Sequence, residues 1–343
     1  MKPASRSSQD LSDGNGTTIA QIAVLAGVSV ATVSKVVNGR ADVAPDTRAA
    51  VETIIREHGY RQKKANRATL VELVLHELKG AYAMEIIKGV ERVAVEHGLA
   101  LVVSESEGRH TLGRNWIEAV IARRPTGVVA PVNVPTQSQQ EQLHSRGIPI
   151  VLVDPMDEPD PALPSVAADS WGGGLAATRH LLRLGHRRIA AITGSSGSMP
   201  SRARLDGYRT ALETAGIPVD PVLIREGDFH LRDGLAHGQE LLRLPDPPTA
   251  VFAFNDAQAV GVYQAAHQLG LRIPEDLSVV GFDDLPTATW AIPALTTVHQ
   301  PLRDMAATAT RMLIDIAHGT TTPHRSMFAT ELITRASTAP PRG

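Results

Sequence analysis

The sequence predicts a small all-α headpiece that contains a helix-turn-helix, followed by a large α/β domain of two parallel-sheet lobes. The first observation is the segment TTIAQIAVLAGVSVATVSKVVN at residues 17–38, in which a glycine separates two short helical patterns. The second is the alternation of apolar, strand-like runs with helical patterns from residue 70 onward. The third is the length of 343 residues, which suffices for a small domain and a larger two-lobed one.

The first helix is predicted to begin after Thr17 or Thr18, because a threonine hydroxyl can accept a hydrogen bond from the first helical turn. Its apolar side chains share one face and are Ile22, Ala23 and Ala26. Gly27 is predicted to end this helix, since glycine adopts the left-handed conformation without a Cβ clash.

The second helix is predicted to be capped by Ser29 and to place its first turn in the major groove of DNA. Its core face is Val33, Val36 and Val37. Its outer face and edges are Val30, Ala31, Ser34, Lys35 and Asn38. Val30 and Ala31 suit a thymine methyl group, and Lys35 can donate to guanine or to a phosphate. Thr32 and Ser34 are natural phosphate donors, and we also expect Thr18, Ser29 and Asn38 to contact DNA.

A third helix is predicted from Pro45 to Gly59, with Val51, Ile54 and Ile55 on its buried face. A small three-helix bundle without DNA function would show the same pattern. The charge distribution favours DNA binding, because residues 1–70 carry a net charge of +4 and residues 71–343 a net charge of −6. A basic headpiece on an acidic body is suited to phosphate contacts.

Composition argues against several classes of protein. The chain has no cysteine, and its 13 histidines are scattered, so we expect no disulfide, no metal and no cofactor. The segment WGGGLAAT at residues 171–178 predicts close helix packing instead of a nucleotide loop, and GSSGS at residues 194–198 is not a nucleophile elbow. We therefore expect that this protein is not an enzyme. Residues 1–16 are polar and predicted to be disordered, without a signal peptide or membrane span, which favours the cytoplasm.

The large domain is predicted from strands and helices that alternate along the chain, which is typical of parallel sheets covered on both faces. The predicted strands lie at residues 70–78, 99–105, 126–132, 148–154, 188–194, 249–256 and 277–284. The predicted helices lie at residues 83–97, 112–124, 173–184, 202–215, 232–244 and 257–269, with a further helix before residue 147. A ligand cleft is expected at the carboxyl ends of the strands.

Polar side chains stand at these predicted strand ends, namely Asp154, Asn255, Asp256, Asp283 and Asp284. Arg202 and Arg204 open a helix after the run AITG, and Phe229 follows a short strand. Carboxylates, amides, guanidinium groups and a flat ring together suit a hydroxyl-rich ligand. Each Asp or Asn could instead cap the helix that follows it, and Asp256 and Asp284 fit that role better.

The headpiece resembles that of the LacI/GalR (lactose-repressor) family, with the pattern T-x-x-x-[IV]-A-x-x-A-G-V-S-x-x-T-V-S-[RK]-x-[VL]-N. The matching residues are Thr18, Ile22, Ala23, Ala26, Gly27, Val28, Ser29, Thr32, Val33, Ser34, Lys35, Val37 and Asn38. The segments HLLRLGHRRIAAITG, RARLDGYRTAL, TAVFAFNDAQAVGVYQAAHQLGLRIPEDLSVVGFDD and LTTVHQP resemble the family's periplasmic-binding-protein-like effector domain. The resemblance covers about residues 17–335 and implies a homodimer.

The resemblance also implies the residues of an effector site. Arg204, Asn255 and Asp283 match positions that contact the effector, with Asp154 as a further polar contact and Phe229 as a stacking aromatic. Two further residues are implied by their place in the chain. Tyr82 matches a region that lines the cavity, and Trp171 is placed near the cleft entrance, where it touches the ligand or only packs.

The segment RQKKANRATLVEL departs from the family, because it lacks a proline and has Thr69 where a leucine would wedge into the minor groove. Whether this segment forms a hinge helix therefore stays open, and Leu70 either intercalates into DNA or begins the first strand. Lys63, Lys64 and Arg67 are expected to contact phosphates. The predicted divisions are a tail at 1–16, a headpiece at 17–62, a hinge at 63–70, a two-lobed domain at 71–335 and a tail at 336–343.

These observations together predict a dimeric repressor that binds a pseudo-palindromic double-stranded DNA operator and is controlled by a small sugar effector. Two alternatives stay open. One is a sugar-binding receptor without DNA function. The other is the same regulator with a purine or a phosphorylated metabolite as corepressor, for which Arg202 and Arg204 leave room.

Overall fold

The computed structural model describes residues 17–37, 43–58, 69–106, 113–131 and 135–342. The chain divides into two compact units, residues 1–67 and 68–343. The predicted tail at 1–16 and the greater part of the predicted hinge lie outside the described residues. Leu70 is the first residue of a strand, so the structure assigns it to the sheet of the second unit.

The headpiece consists of α1 (Ile19–Ala26), α2 (Val30–Val37) and α3 (Pro45–Glu57). Thr18 caps α1, because its hydroxyl accepts from the Gln21 N–H while the Gln21 side chain accepts from the Thr18 N–H. Gly27 ends α1 with φ of 64°, as predicted for a left-handed helix stop. The completely buried core residues are Ile22, Val33 and Val51.

Within the described ranges, no single helix is long and apolar enough to cross a membrane. The helices α1 and α2 reach the required length and apolarity only when they are counted together, and they are bent by 108° at the turn between them.

The second unit alternates strands and helices. In chain order its strands are β1 (Leu70–Leu75), β2 (Ala100–Glu105), β3 (Gly127–Pro131), β4 (Ile150–Val153), β5 (Ser165–Ala168), β6 (Ile189–Thr193), β7 (Ile224–Glu226), β8 (Ala250–Ala253), β9 (Ser278–Asp283), β10 (Thr296–His299), β11 (Arg325–Phe328) and β12 (Glu331–Ile333). Its helices are α4 (Gly80–Glu96), α5 (Arg114–Arg123), α6 (Gln137–His144), α7 (Ser170–Arg183), α8 (Met199–Thr214), α9 (Leu231–Leu242), α10 (Asp256–Gln268), α11 (Pro286–Trp290) and α12 (Leu302–His318).

These strands form two sheets, one in each lobe. The first sheet has the order β11-β5-β4-β3-β1-β2, and its strands pair in parallel. The second has the order β12-β10-β9-β8-β6-β7, and only β12 pairs antiparallel among its described strands. The buried strands are almost continuously apolar, as expected for sheets covered by helices on both faces.

The chain passes between the lobes more than once, which the alternating pattern did not predict. It leaves the first lobe after β5, returns after β10 with α12, and leaves again after β11. Periodicity did not predict β5, β10, β11 or β12, because each is only three or four residues long and does not lie within a longer apolar run, as the equally short β4 and β8 do. The prediction also lacked α11 and α12, although α12 is amphipathic and packs against α4 in the first lobe.

The segment at 336–343, predicted as a tail, belongs to the second lobe over its described part. Ser337 is completely buried, and its hydroxyl accepts from the Thr296 N–H at 2.8 Å and donates to the Val279 carbonyl at 2.6 Å. The Ala339 N–H donates to the Ser278 hydroxyl at 3.0 Å. A serine cannot be recognised as buried from polarity alone, because its burial depends on these distant partners.

Candidate functional site

The outer side of α2 has the character that the sequence predicted. The Ser29 hydroxyl accepts from the Thr32 N–H at 3.1 Å and lies 2.9 Å from the Thr32 hydroxyl, so it caps this helix. Val30, Ala31 and Lys35 are exposed, whereas Val33 and Val36 are buried in the headpiece core. The exposed side therefore carries two small apolar side chains and one cation, the combination suited to base methyls and phosphates.

The other residues predicted to contact DNA divide into two groups. Thr18 is exposed at the cap of α1, and Ser34 is half-buried on α2. Contact of either residue with DNA stays a prediction. The remaining predicted contacts lie outside the described residues and are Asn38, Lys63, Lys64 and Arg67.

A cavity of about 440 Å³ lies between the two lobes of the second unit. It is lined by side chains from the carboxyl ends of strands and from the loops that follow them. Among the lining residues are those that the sequence predicted: Tyr82, Asp154, Arg204, Phe229, Asn255 and Asp283. The strand-end rule thus brings together residues that are up to 201 positions apart in the chain.

Asp154 and Asp283 stand directly at the ends of β4 and β9, where the backbone turns sharply. Asp154 has φ of 47° and Asp283 has φ of 107°, and aspartate is among the few side chains that visit positive φ without prohibitive strain. Both carboxyl groups are buried within the cavity wall. The two lobes therefore each contribute one buried acid, Asp154 from the first and Asp283 from the second.

Arg204 is buried on α8 and is held from several directions. It donates to the Phe254 carbonyl and, through Nη2, to Gln300 Oε1 at 3.1 Å. Its guanidinium carbon lies 3.6 Å from the Phe282 ring centroid and 5.8 Å from that of Phe229. Its Nε has no protein partner, so one buried donor is left unsatisfied.

The backbone position of Arg204 follows from close packing of α7 on α8. A Cβ at Gly174 would lie 2.3 Å from the Arg204 carbonyl oxygen, and a Cβ at Gly207 would lie 2.3 Å from the Trp171 carbonyl oxygen. Only glycine permits this approach. The prediction that WGGGLAAT serves helix packing is confirmed, and this packing places the guanidinium at the cavity.

Burial and neighbouring charges change the acid–base properties of the cavity. Burial raises the pKa of the Asp283 carboxyl well above its ordinary value, the Arg204 cation lowers it, and the carboxylates of Asp256 and Asp154 raise it further. Burial, together with Asp154 and Asp283, also raises the pKa of the Tyr82 phenol. Tyr82 therefore keeps its proton near neutral pH and remains a hydrogen-bond donor.

Phe229 forms an aromatic wall of the cavity, and its neighbours fix where it stands. Phe229 has φ of 60°, and its carbonyl accepts from Asn255 Nδ2 at 2.8 Å. Asn255 Oδ1 accepts from the Gln258 N–H at 2.8 Å, so Asn255 also caps α10. The Phe229 ring lies directly over Gly194, where an added Cβ would be 2.1 Å from Cζ. Asn255 thus has both a capping role and a place in the cavity wall.

Gln300 is an important residue that sequence reasoning missed. It follows β10, is buried, and donates through Nε2 to Asp154 Oδ2 at 3.0 Å while its Oε1 accepts from Arg204. It therefore joins a polar residue of one lobe to a polar residue of the other. A polar residue at the end of a strand was the available signal, but the short strand before Gln300 was not predicted.

Several residues do not stand where the sequence suggested. Trp171 lies in the first turn of α7 with an exposed ring, and it is not among the cavity-lining residues. Arg202 is exposed, and it donates to the carbonyl groups of Ser196 and Gly197 instead of facing the cavity. The predicted pair of arginines in the site is therefore reduced to Arg204.

The expectation that Asp256 and Asp284 serve as caps is wrong. The Asp256 carboxylate accepts from the Leu285 N–H at 2.7 Å and from the Thr297 hydroxyl. Asp284 binds Arg335 at 2.6 Å and lies 3.1 Å from His299 Nδ1. Both acids tie distant segments of the second lobe together. Within the described ranges, no cluster of three or more potential ligands suited to a metal ion occurs.

Two families match parts of this chain. Residues 18–63 match the family described as "Bacterial regulatory proteins, lacI family". Residues 178–338 match the family described as "Periplasmic binding protein-like domain". The first match spans the helix-turn-helix, and the second spans most of the second lobe and the return to the first.

Similar proteins extend the match over nearly the whole chain. The ribose operon repressor of Escherichia coli (strain K12) is 35% identical over 306 residues, which are 87% of this chain and 92% of that protein. The HTH-type transcriptional repressor CytR of the same organism is 32% identical over 329 residues, or 94% and 96% of the two chains.

Solved structures agree with this similarity. A structure described as the transcriptional regulator CelR–cellobiose complex is 35% identical and has a TM-score of 0.72, covering 94% of this chain and 99% of that one. The lac repressor dimer bound to operator and the anti-inducer ONPF is 27% identical with a TM-score of 0.69, covering 95% and 100%.

The buried polar cavity between two parallel-sheet lobes, together with a helix-turn-helix, defines a ligand-controlled DNA-binding regulator. The chain belongs to the LacI family of bacterial regulatory proteins. Like the relatives that it matches, it is a transcriptional regulator and not an enzyme.

Proposed function

We propose that this protein is a homodimeric, cytoplasmic repressor whose affinity for a pseudo-palindromic operator is set by a small carbohydrate in the cavity between the lobes. The observation that carries the proposal is the buried set formed by Asp154, Gln300, Arg204 and Asp283 beside the Phe229 ring. Carboxylates and amides accept and donate to adjacent hydroxyls, and an aromatic ring covers a C–H face.

The names of relatives support the same effector class. A ribose operon repressor and a regulator in complex with cellobiose both match over most of the chain. The lac repressor structure, a dimer on its operator, supports the assembly and the DNA partner. In such a dimer, two copies of α2 would read half-sites related by two-fold symmetry.

A phosphorylated corepressor is less compatible with the cavity. Besides the Tyr82 phenol, the ionisable side chains that line the cavity are the acids Glu77, Asp154, Asp228 and Asp283, the cations Lys79 and Arg204, and the histidines His76 and His230. Even with Asp283 protonated, acids therefore outnumber permanent cations, and Arg202 does not add a second guanidinium. A phosphate would be repelled more than it is attracted in such a site.

Control of DNA binding follows from linkage between the two ligands. A sugar that favours one arrangement of the lobes changes the population of that arrangement only by its differential affinity. The operator and the sugar must therefore change each other's affinity by the same factor.

The test is a titration of the full-length protein with fluorescent DNA from its own promoter, with and without sugars, at several salt concentrations. We expect salt-sensitive DNA binding that a sugar changes, and loss of the sugar response in Asp283→Asn and Arg204→Met. Arg202→Met is the matched control, because Arg202 is on the same helix but outside the cavity. A DNA affinity that does not depend on salt concentration, or a normal sugar response in both cavity variants, would overturn the proposal.

A further inference from the structure

The cavity between the lobes has a buried part and a more exposed rim. Asp154, Arg204 and Asp283 in the buried part are no more than 7% exposed. The rim is formed by side chains that the sequence analysis did not single out, and their exposed fractions are 27% for Glu77, 77% for Lys79, 51% for Asp228 and 34% for His230. All of them line the same cavity.

The two sides of the rim come from different lobes. Glu77 and Lys79 lie in the loop between β1 and α4, and Lys79 Nζ is 3.5 Å from Glu77 Oε2. Asp228 and His230 lie between β7 and α9, and His230 Nε2 is 3.8 Å from Asp228 Oδ2. Each lobe therefore presents one acid beside one nitrogen donor or acceptor.

Both rim loops are held from behind by a carboxylate. Glu105 Oε1 accepts from the Leu78 N–H at 3.1 Å, which fixes the loop of the first lobe. Asp233 Oδ2 accepts from the Asp228 N–H at 2.6 Å and from the His230 N–H at 3.1 Å, which fixes the loop of the second lobe. The backbone of both rim loops is therefore held in position by hydrogen bonds within the protein, without a ligand.

The charges of the rim suit a neutral, hydroxyl-rich group. Each loop places its nitrogen-bearing side chain beside a carboxylate, so an anion finds little net attraction. The ion pair of the exposed Lys79 with Glu77 contributes little to stability, so these side chains can rearrange to bind hydroxyls at low cost. Carboxylates accept from hydroxyls, while lysine and histidine donate to them.

The cavity volume falls within the range of sites that enclose ligands larger than a single sugar ring. Sites that enclose drug-sized ligands measure roughly 300–1,000 Å³, and this cavity measures about 440 Å³. A ligand that reached only Asp154, Arg204 and Asp283 would leave the rim in water. A ligand with a second ring would touch both lobes at the rim as well.

We propose that Glu77, Lys79, Asp228 and His230 form a second subsite, which takes the outer ring of a disaccharide while the inner ring occupies the buried polar set. This inference rests on the proposed function, since it assumes that the cavity binds a carbohydrate. If it is correct, these rim residues make the protein bind a disaccharide more tightly than the constituent monosaccharides.

The test is calorimetric titration of the full-length protein with three disaccharides (cellobiose, maltose and lactose) and with glucose, galactose and ribose. We expect one disaccharide to bind at least about tenfold more tightly than its own monosaccharides, because two or more added hydrogen bonds contribute at the rim. The double variant Lys79→Met/Asp228→Asn should lose about five- to tenfold in disaccharide affinity and leave monosaccharide affinity unchanged.

The matched control is Lys88→Met/Asp206→Asn. Lys88 pairs with Glu85 on α4, and Asp206 pairs with Arg209 on α8. Each of the two control substitutions therefore removes an ion pair outside the cavity. A monosaccharide that binds as tightly as or more tightly than every disaccharide tested, or a disaccharide preference that survives the rim substitutions, would overturn the subsite while sugar binding stands. Failure of every sugar to bind would instead refute the proposed function, and the subsite with it.

Discussion

The substitution Gly194→Ala offers a sharp test of how the cavity holds its ligand. Gly194 follows β6, and a Cβ built on it would lie 2.1 Å from Cζ and 2.2 Å from Cε2 of Phe229. Carbon atoms in favourable contact are about 3.5–4.0 Å apart, so the ring must move by at least about 1.4 Å. The ring lines the cavity, so this movement shifts the aromatic surface that is proposed to cover the sugar.

The expected loss is in affinity more than in stability. A well-placed aromatic contact contributes about 0.5–1.5 kcal/mol beyond its buried area, so its loss should raise the sugar dissociation constant about three- to tenfold. Gly194 does not have a left-handed φ, so alanine fits its backbone. The half-buried ring can yield without opening the core. We therefore expect the free energy of unfolding to change by less than about 1 kcal/mol.

The assay is a double-mutant cycle by calorimetry with the sugar that binds wild-type protein. If Gly194 acts through the ring, Gly194→Ala should weaken binding in wild type but have no further effect in Phe229→Ala. Gly197→Ala is the control, because its Cβ would meet nothing nearer than Ser195 Oγ at 3.7 Å. Wild-type affinity in Gly194→Ala, or losses that simply add in the double variant, would refute this reasoning.

Three further predictions concern acidity and DNA. Burial raises the pKa of Asp256 from 3.8 to about 7, so the native state retains a proton that the unfolded chain releases, and the free energy of unfolding should fall as pH rises from 4 to 7. Asp256→Asn should flatten that dependence in urea titrations. Sugar affinity should weaken as pH falls and Asp283 is protonated, which calorimetry of the wild-type protein over a range of pH measures, and Arg202→Met should keep the same dependence. Lys35→Ala should weaken operator binding by about 1–3 kcal/mol in anisotropy titrations and spare sugar binding. A free energy of unfolding that does not change between pH 4 and 7 would contradict the first prediction. A sugar affinity that does not change with pH would contradict the second, and an unchanged operator affinity in Lys35→Ala would contradict the third.

The sequence by itself determined the elements whose information is local. The headpiece could be predicted almost to the residue, because caps such as Thr18 and Ser29, the turn at Gly27 and helical spacing all act within a few positions. The rule that ligands bind at strand ends likewise found Asp154, Asn255 and Asp283, since each follows an apolar run long enough to recognise.

Only the tertiary structure decided which of these side chains face one another. Arg202 and Arg204 look alike in the sequence, and the packing of α7 on α8 buries one and leaves the other exposed. Gln300 acquires its role from Asp154 and Arg204, which lie 146 and 96 positions away. The return of the chain to the first lobe and the burial of Ser337 are equally non-local. They depend on contacts between distant segments, which no local periodicity contains.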